Sequence, residues 1–67
     1  MNILQFCRKS SYFNIFVHNM LRAKSTDDRI MYWDKANTVV NSYFEMKVLN
    51  NEEALHLSGV LTRLYFK

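Results

Sequence analysis

The side chains that could take part in chemistry are few, and they form no pattern typical of a catalytic or metal-binding site. Cys7 is the only cysteine, and the two histidines, His18 and His56, have no second thiol or imidazole at ligand spacing. If one helix held both Cys7 and His18, about three helical turns would separate the thiol from the imidazole. The sequence therefore predicts no enzyme activity, no metal site and no cofactor.

Acidic residues occur in two adjacent pairs, and both pairs have a structural explanation. The aspartates at 27–28 follow Ser25 and Thr26, either of which could cap a helix, and the glutamates at 52–53 follow Asn50. Serine and asparagine are good helix caps, and carboxylates in the first turn interact favourably with the helix dipole. We therefore assign both pairs to helix starts and not to acid–base chemistry.

Composition limits the chain to one small domain over residues 1–67. Hydrophobic residues make up 49% of the chain and aromatic residues 15%, with one glycine and no proline. Tight turns are rare without glycine and proline, which argues against a β fold of many strands. A chain of this length buries only about 60% of its unfolded surface. We therefore expect an all-α domain of three amphipathic helices, completed by forming a homodimer or a higher oligomer.

The first predicted helix is a basic, aromatic segment over residues 1–23. Its apolar residues recur at helical spacing, although Ser10 and Ser11 interrupt the pattern and mark a kink or a boundary. A β-strand over residues 11–17 is the alternative. We assign self-association to the apolar side chains of this segment: Phe13, Phe16, Val17 and Met20.

The second and third predicted helices span residues 26–46 and 51–66. Each begins at a cap signal and carries an apolar stripe at helical spacing. Because a short polar linker joins them, we expect an αα-hairpin. Three side chains of the second helix are expected to hold the two helices together: Trp33, Ala36 and Val40.

The net charge of +3 is unevenly distributed. Four basic and no acidic residues lie in residues 1–24, whereas residues 25–67 hold five basic and six acidic residues. A basic segment can attract nucleic acid, but a recognition helix gathers several basic residues on one exposed face. The four early charges form two pairs about fourteen residues apart: Arg8, Lys9, Arg22 and Lys24. We therefore favour a solvated surface and do not expect direct DNA binding.

No stretch of the sequence has the features of a signal peptide or a membrane span. The most apolar stretch, residues 12–21, is interrupted by Asn14, His18 and Asn19 and is too short to cross a bilayer. A single thiol is typical of proteins in a reducing compartment. We therefore expect a cytoplasmic location and no membrane partner.

Apolar side chains are more numerous than a core of three short helices can enclose. Exposed apolar patches usually mark an interface, and aromatic and methionine side chains are the anchors that interface centres favour. We therefore predict that the chain acts by binding another protein. The contact residues are placed on the third helix: Leu57, Val60, Leu61, Leu64 and Tyr65.

A family resemblance rests on the second and third predicted helices. They contain the aromatic element Tyr32-Trp33-Asp34-Lys35-Ala36, the linker Asn50-Asn51-Glu52-Glu53-Ala54 and an amphipathic helix that continues to Arg63-Leu64. Residues 26–64 thereby resemble the small negative regulators of AraC-type transcriptional activators found in enteric and related bacteria.

This resemblance implies a bacterial repressor that acts by direct protein–protein binding. Its partner would be an AraC/XylS-type activator, whose dimerisation or DNA binding it would block, and a histone-like nucleoid-structuring protein would be a further partner. The chain is also similar in size and helical design to the haemolysin-expression modulators, which pair with histone-like nucleoid proteins. That second resemblance implies the alternative, a nucleoid-associated regulator that binds a histone-like protein or DNA.

Overall fold

Four α-helices make up the computed structural model of this chain, which describes residues 1–67. The helices are α1 (Ile3–Lys9), α2 (Ser11–Arg22), α3 (Thr26–Glu45) and α4 (Asn51–Tyr65). The all-α prediction is confirmed, whereas the prediction of three helices is wrong, because the first segment is divided into α1 and α2. None of the four helices combines the length and the apolar character that a membrane span requires.

Ser10 alone separates α1 from α2. Its backbone is extended, with φ −122° and ψ 108°, and its N–H donates to the carbonyl of Phe6 at 2.9 Å. Its Oγ accepts from the N–H of Phe13 at 3.2 Å, so Ser10 ends one helix and caps the next. This side chain is buried. One extended residue therefore redirects the chain and brings α1 against α2.

Capping side chains also fix the starts of α3 and α4. The Oγ of Ser25 accepts from the N–H of Asp28 at 3.2 Å. Asn50 and Glu53 form a capping box, in which each side chain accepts from the backbone N–H of the other residue, at 2.8 and 3.1 Å. The linker between α3 and α4 contains Lys47 in the left-handed region, with φ 63°.

The core lies between all four helices. α3 packs most extensively against α2 and less extensively against α4, and α1 packs against α2. Nine apolar side chains are buried: Phe6, Phe13, Val17, Met20, Ala36, Val40, Leu49, Leu57 and Leu61.

α1 covers Phe13, one of the side chains expected to mediate self-association. The ring of Phe6 packs edge-on against Phe13, with centroids 4.6 Å apart, and against Tyr43 at 5.0 Å. Val17 and Met20 are also buried in the core, so none of these three side chains offers a surface to a second copy. Phe16 is half-buried, beneath the ammonium of Lys35, which lies 5.7 Å from its ring centroid.

Candidate protein-binding groove

α3 and α4 leave an aromatic hollow on the side of the hairpin that no other part of the chain covers. The hollow has a volume of about 260 Å³ and is lined by Ile30, Trp33, Thr62, Tyr65 and Phe66. Trp33 lies against Tyr65 with ring centroids 5.9 Å apart, and Tyr65 meets Phe66 edge-on at 4.9 Å. Phe66 is 79% exposed and Ile30 is 46% exposed. Three aromatic rings therefore form an apolar site that is open to solvent.

Arg29 on α3 contacts the C-terminal end of α4 beside this hollow. Its Nη2 donates at 3.4 Å to the carbonyl of Leu64, which also accepts from the backbone N–H of Lys67 at 3.2 Å. Its Cζ lies 5.7 Å from the centroid of the Tyr65 ring, within cation–π range. The buried Nε of Arg29 and the buried Nε1 of Trp33 have no hydrogen-bond acceptor. Two unsatisfied donors show that the polar groups at this end are incompletely paired within the chain.

A second, smaller hollow lies toward the other end of the same two helices. Its volume is about 150 Å³, and its lining is half apolar and half polar: Phe44, Ala54 and Leu55, with Asn41, Asn51 and Ser58. Leu55 is 65% exposed. The Oγ of Ser58 donates to the Oδ1 of Asn37 at 2.8 Å, on the side of this hollow nearer to the first. The site therefore has an aromatic end, a polar centre and a second end of mixed apolar and polar character.

The two hollows belong to one surface because their residues follow the helical repeat. On α3 the row is Ile30, Trp33, Asn37, Asn41 and Phe44, and on α4 it is Leu55, Ser58, Thr62, Tyr65 and Phe66. We call this surface the α3–α4 groove. From Ile30 to Phe44 it extends about 21 Å along α3, a length of four helical turns.

The contact residues predicted on α4 are divided between the core and the surface. Leu57 and Leu61 are fully buried, so they offer no surface to a partner and instead pack within the chain. Val60 is half-buried, and Leu64 is half-buried against the core. Tyr65 alone of the five lines the groove.

The three residues predicted to hold α3 and α4 together lie partly in the core and partly at the groove. Ala36 and Val40 are buried in the core. Trp33 packs partly against the core and partly lines the groove, where it touches Tyr65.

Among the large apolar residues of the groove, four were not predicted site residues: Ile30, Phe44, Leu55 and Phe66. The signal that could have found them is helical register. Leu55 and Phe66 are rotated away from the stripe of Leu57 and Leu61, so they could not share its direction.

The potentially reactive side chains do not converge. Cys7 is half-buried, and burial raises the pKa of its thiol, which disfavours the nucleophilic thiolate. His18 on α2 and His56 on α4 are exposed. No group of three or more histidine, cysteine, aspartate or glutamate side chains is close enough to hold a metal ion.

In comparisons with protein-family models, with characterised proteins and with solved structures, the chain matches none of them.

Proposed function

We propose that this chain is a negative transcriptional regulator that binds another protein through the α3–α4 groove. The observation that carries this proposal is the uncovered aromatic hollow, with Phe66 standing 79% exposed at its edge. Large exposed aromatic side chains around a concave apolar site are typical of the anchors at protein interfaces.

A helix of the partner fits the dimensions of the groove. Ile30 and Phe44, the apolar side chains of α3 at the two ends of the groove, are fourteen residues apart. An amphipathic helix of about four turns has apolar side chains that span this distance. The hydrogen-bonded pair of Asn37 and Ser58 at the centre would set the register of the docked helix. Burying these two polar side chains against apolar ones is unfavourable, so a polar residue of the partner should face them.

The identity of the partner is proposed from the resemblance of residues 26–64 to the regulators of AraC-type activators. On that basis the docked helix belongs to an AraC/XylS-type activator, and its capture blocks dimerisation or DNA binding by the activator. Trp33 lies in the element that carries the resemblance and also lines the groove.

A matched pair of isoleucines tests the groove. Ile30 on α3 is 46% exposed in the groove, and Ile15 on α2 is 50% exposed outside it. In calorimetric titrations with a purified AraC-type activator, we expect Ile30→Asp to weaken binding at least about tenfold and Ile15→Asp to change it less than about threefold. Circular dichroism of both variants checks that the helices are retained.

Two results would contradict the proposal. Equal weakening by both variants would show that the groove is not the contact surface. Failure of the unmodified chain to bind any AraC-type activator tested would remove the assigned partner.

The second candidate is a nucleoid-associated regulator that binds DNA or a histone-like protein. The observation in its favour is that four basic side chains are exposed and free of ion pairs: Arg8, Lys9, Arg22 and Lys24. Fluorescence anisotropy with labelled duplex DNA at several salt concentrations tests it, because phosphate contacts give affinity that falls steeply with salt. Absence of binding at low salt would remove the DNA alternative.

A further inference from the structure

Three acidic residues of this basic chain form a row along the α3 side of the α3–α4 groove. Asp27 lies three residues before Ile30, and Asp34 lies four after it. Glu45 lies four residues after Asn41. Residues three or four apart are neighbours on a helix surface, so all three carboxylates border the groove. We call Asp27, Asp34 and Glu45 the acidic rim.

No basic group of the chain forms an ion pair with the acidic rim. All three carboxylates are exposed, and the only ion pair of the chain joins the N-terminal ammonium to Glu53. The two basic residues of α3 lie against rings on other sides of the helix, Lys35 over Phe16 and Arg29 over Tyr65. The rim therefore offers three unpaired negative charges along about 27 Å of helix.

The α4 side of the groove does not balance this charge. Glu52 in the first turn and Arg63 in the last turn are both exposed, and they border opposite ends of the groove. Lys47 and Lys67 lie beyond the ends of α3 and α4. The charge along the length of the groove is therefore negative and lies on its α3 side.

A helix docked in the groove would have one flank over the acidic rim. Opposite charges attract across an interface and like charges repel, so this flank should be basic. We therefore propose that the α3–α4 groove takes an amphipathic helix with an apolar face and one basic flank, whose lysine and arginine side chains pair with the acidic rim. This inference rests on the proposed function, because it takes the groove as the docking surface, and it adds the charge of the docked helix.

The net charge of the chain makes the opposite prediction, which gives a discriminating test. The chain carries +3, so long-range attraction alone favours an acidic partner. The probes are two labelled synthetic peptides of about 18 residues, with the same leucine face and with either lysine or glutamate along one flank. Fluorescence anisotropy is measured at about pH 8, where histidine is neutral, and at about 0.15 M salt. The lysine peptide should bind at least about fivefold more tightly than the glutamate peptide.

Asp27 and Asp28 are a matched pair that locates the contact. Both are exposed in the first turn of α3, so lysine at either position changes net charge and the interaction with the helix dipole alike. Asp28 lies away from the groove, in a hollow that Arg22 and Lys24 also line. Asp27→Lys should raise the dissociation constant of the lysine peptide at least about fourfold, and Asp28→Lys should change it less than about twofold. Circular dichroism checks that both variants keep their helices.

Three results would overturn this inference. The lysine peptide could fail to bind up to about 1 mM, the glutamate peptide could bind as tightly as the lysine peptide, or Asp27→Lys could behave like Asp28→Lys. The proposed function is judged separately, by activator binding to Ile30→Asp. An activator that binds through Ile30 with no effect of Asp27→Lys would remove only the basic flank. A preference for lysine without binding of any AraC-type activator would remove only the assigned partner.

Discussion

α3 carries apolar side chains on two sides that have different surroundings. On one side, Ala36 and Val40 are buried in the core that α3 shares with α2. On the other side, Ile30 and Phe44 line the groove with α4 and remain 46% and 41% exposed. The residue types are similar, so hydrophobicity does not separate the two regions. The difference is that helices of the same chain cover one side and leave the other open.

The largest expected effect contrasts two leucines of α4, Leu61 in the core and Leu55 in the groove. Leu61→Ala leaves a cavity in a fully buried site and should lower the free energy of unfolding by about 2–5 kcal/mol. Leu55→Ala removes a mostly exposed side chain and should change it by less than about 0.5 kcal/mol. Urea denaturation followed by circular dichroism measures both. Similar losses for both variants would show that the groove is not distinct from the core.

The next largest change in the free energy of unfolding is expected at two helix caps. Ser10 and Ser25 each accept a backbone N–H at 3.2 Å, but Ser10 is buried and Ser25 is exposed. Serine caps contribute about 0.5–2 kcal/mol. Loss of the Ser10 hydroxyl would also leave the buried N–H of Phe13 without a hydrogen-bond acceptor. We expect Ser10→Ala to cost more than Ser25→Ala in the same urea measurement. The reverse order would argue against a tightly enclosed junction between α1 and α2.

Gly59→Ala should raise the free energy of unfolding, whereas the substitutions above should lower it. Because the added methyl group meets no atom within 4 Å, the expected result is a gain of up to about 1 kcal/mol in helix stability. Thermal unfolding followed by circular dichroism measures this effect. A loss of stability would mean that the surface around Gly59 is already covered within the chain.

The smallest expected change in the stability of the fold concerns Glu53 and depends on pH. The N–H of Asn50, and then the N-terminal ammonium of Met1 at 3.2 Å, hold the pKa of the Glu53 carboxyl below its ordinary value. A lowered pKa in the folded state means that this stabilisation is present above the ordinary glutamate pKa and is lost as the pH falls through the lowered one. Glu53→Gln should therefore be less stable than the unmodified chain at neutral pH, and this difference should shrink in acid.

Glu52 provides the control for that titration. It occupies the same first turn of α4 but makes no hydrogen bond to Asn50 or to Met1. Glu52→Gln should therefore show a smaller dependence of stability on pH when urea midpoints are compared at neutral and acidic pH. If the two variants gave equal pH profiles, the capping box would not be the cause.

Helix starts could be predicted from the sequence because their signals are local. Ser25 and Asn50 cap α3 and α4 where the sequence placed them. The break at Ser10 is also local, but serine is tolerated inside helices and apolar residues continue at helical spacing on both sides. The sequence could mark a kink there but could not decide between one helix and two.

The groove could not be predicted because it depends on which helices cover which stripe. α4 has apolar side chains around most of its circumference, and both Leu57 and Leu55 fit an amphipathic pattern. The packing of α2 and α3 against α4 makes Leu57 part of the core and leaves Leu55 outside. The same packing encloses Phe13 and Met20, whose residue types alone suit an interface equally well.

Trp33 is the only tryptophan of the chain, and it lines the α3–α4 groove. In the proposed complex a docked helix covers this indole. The intrinsic fluorescence of the unmodified chain would therefore report occupancy of the groove.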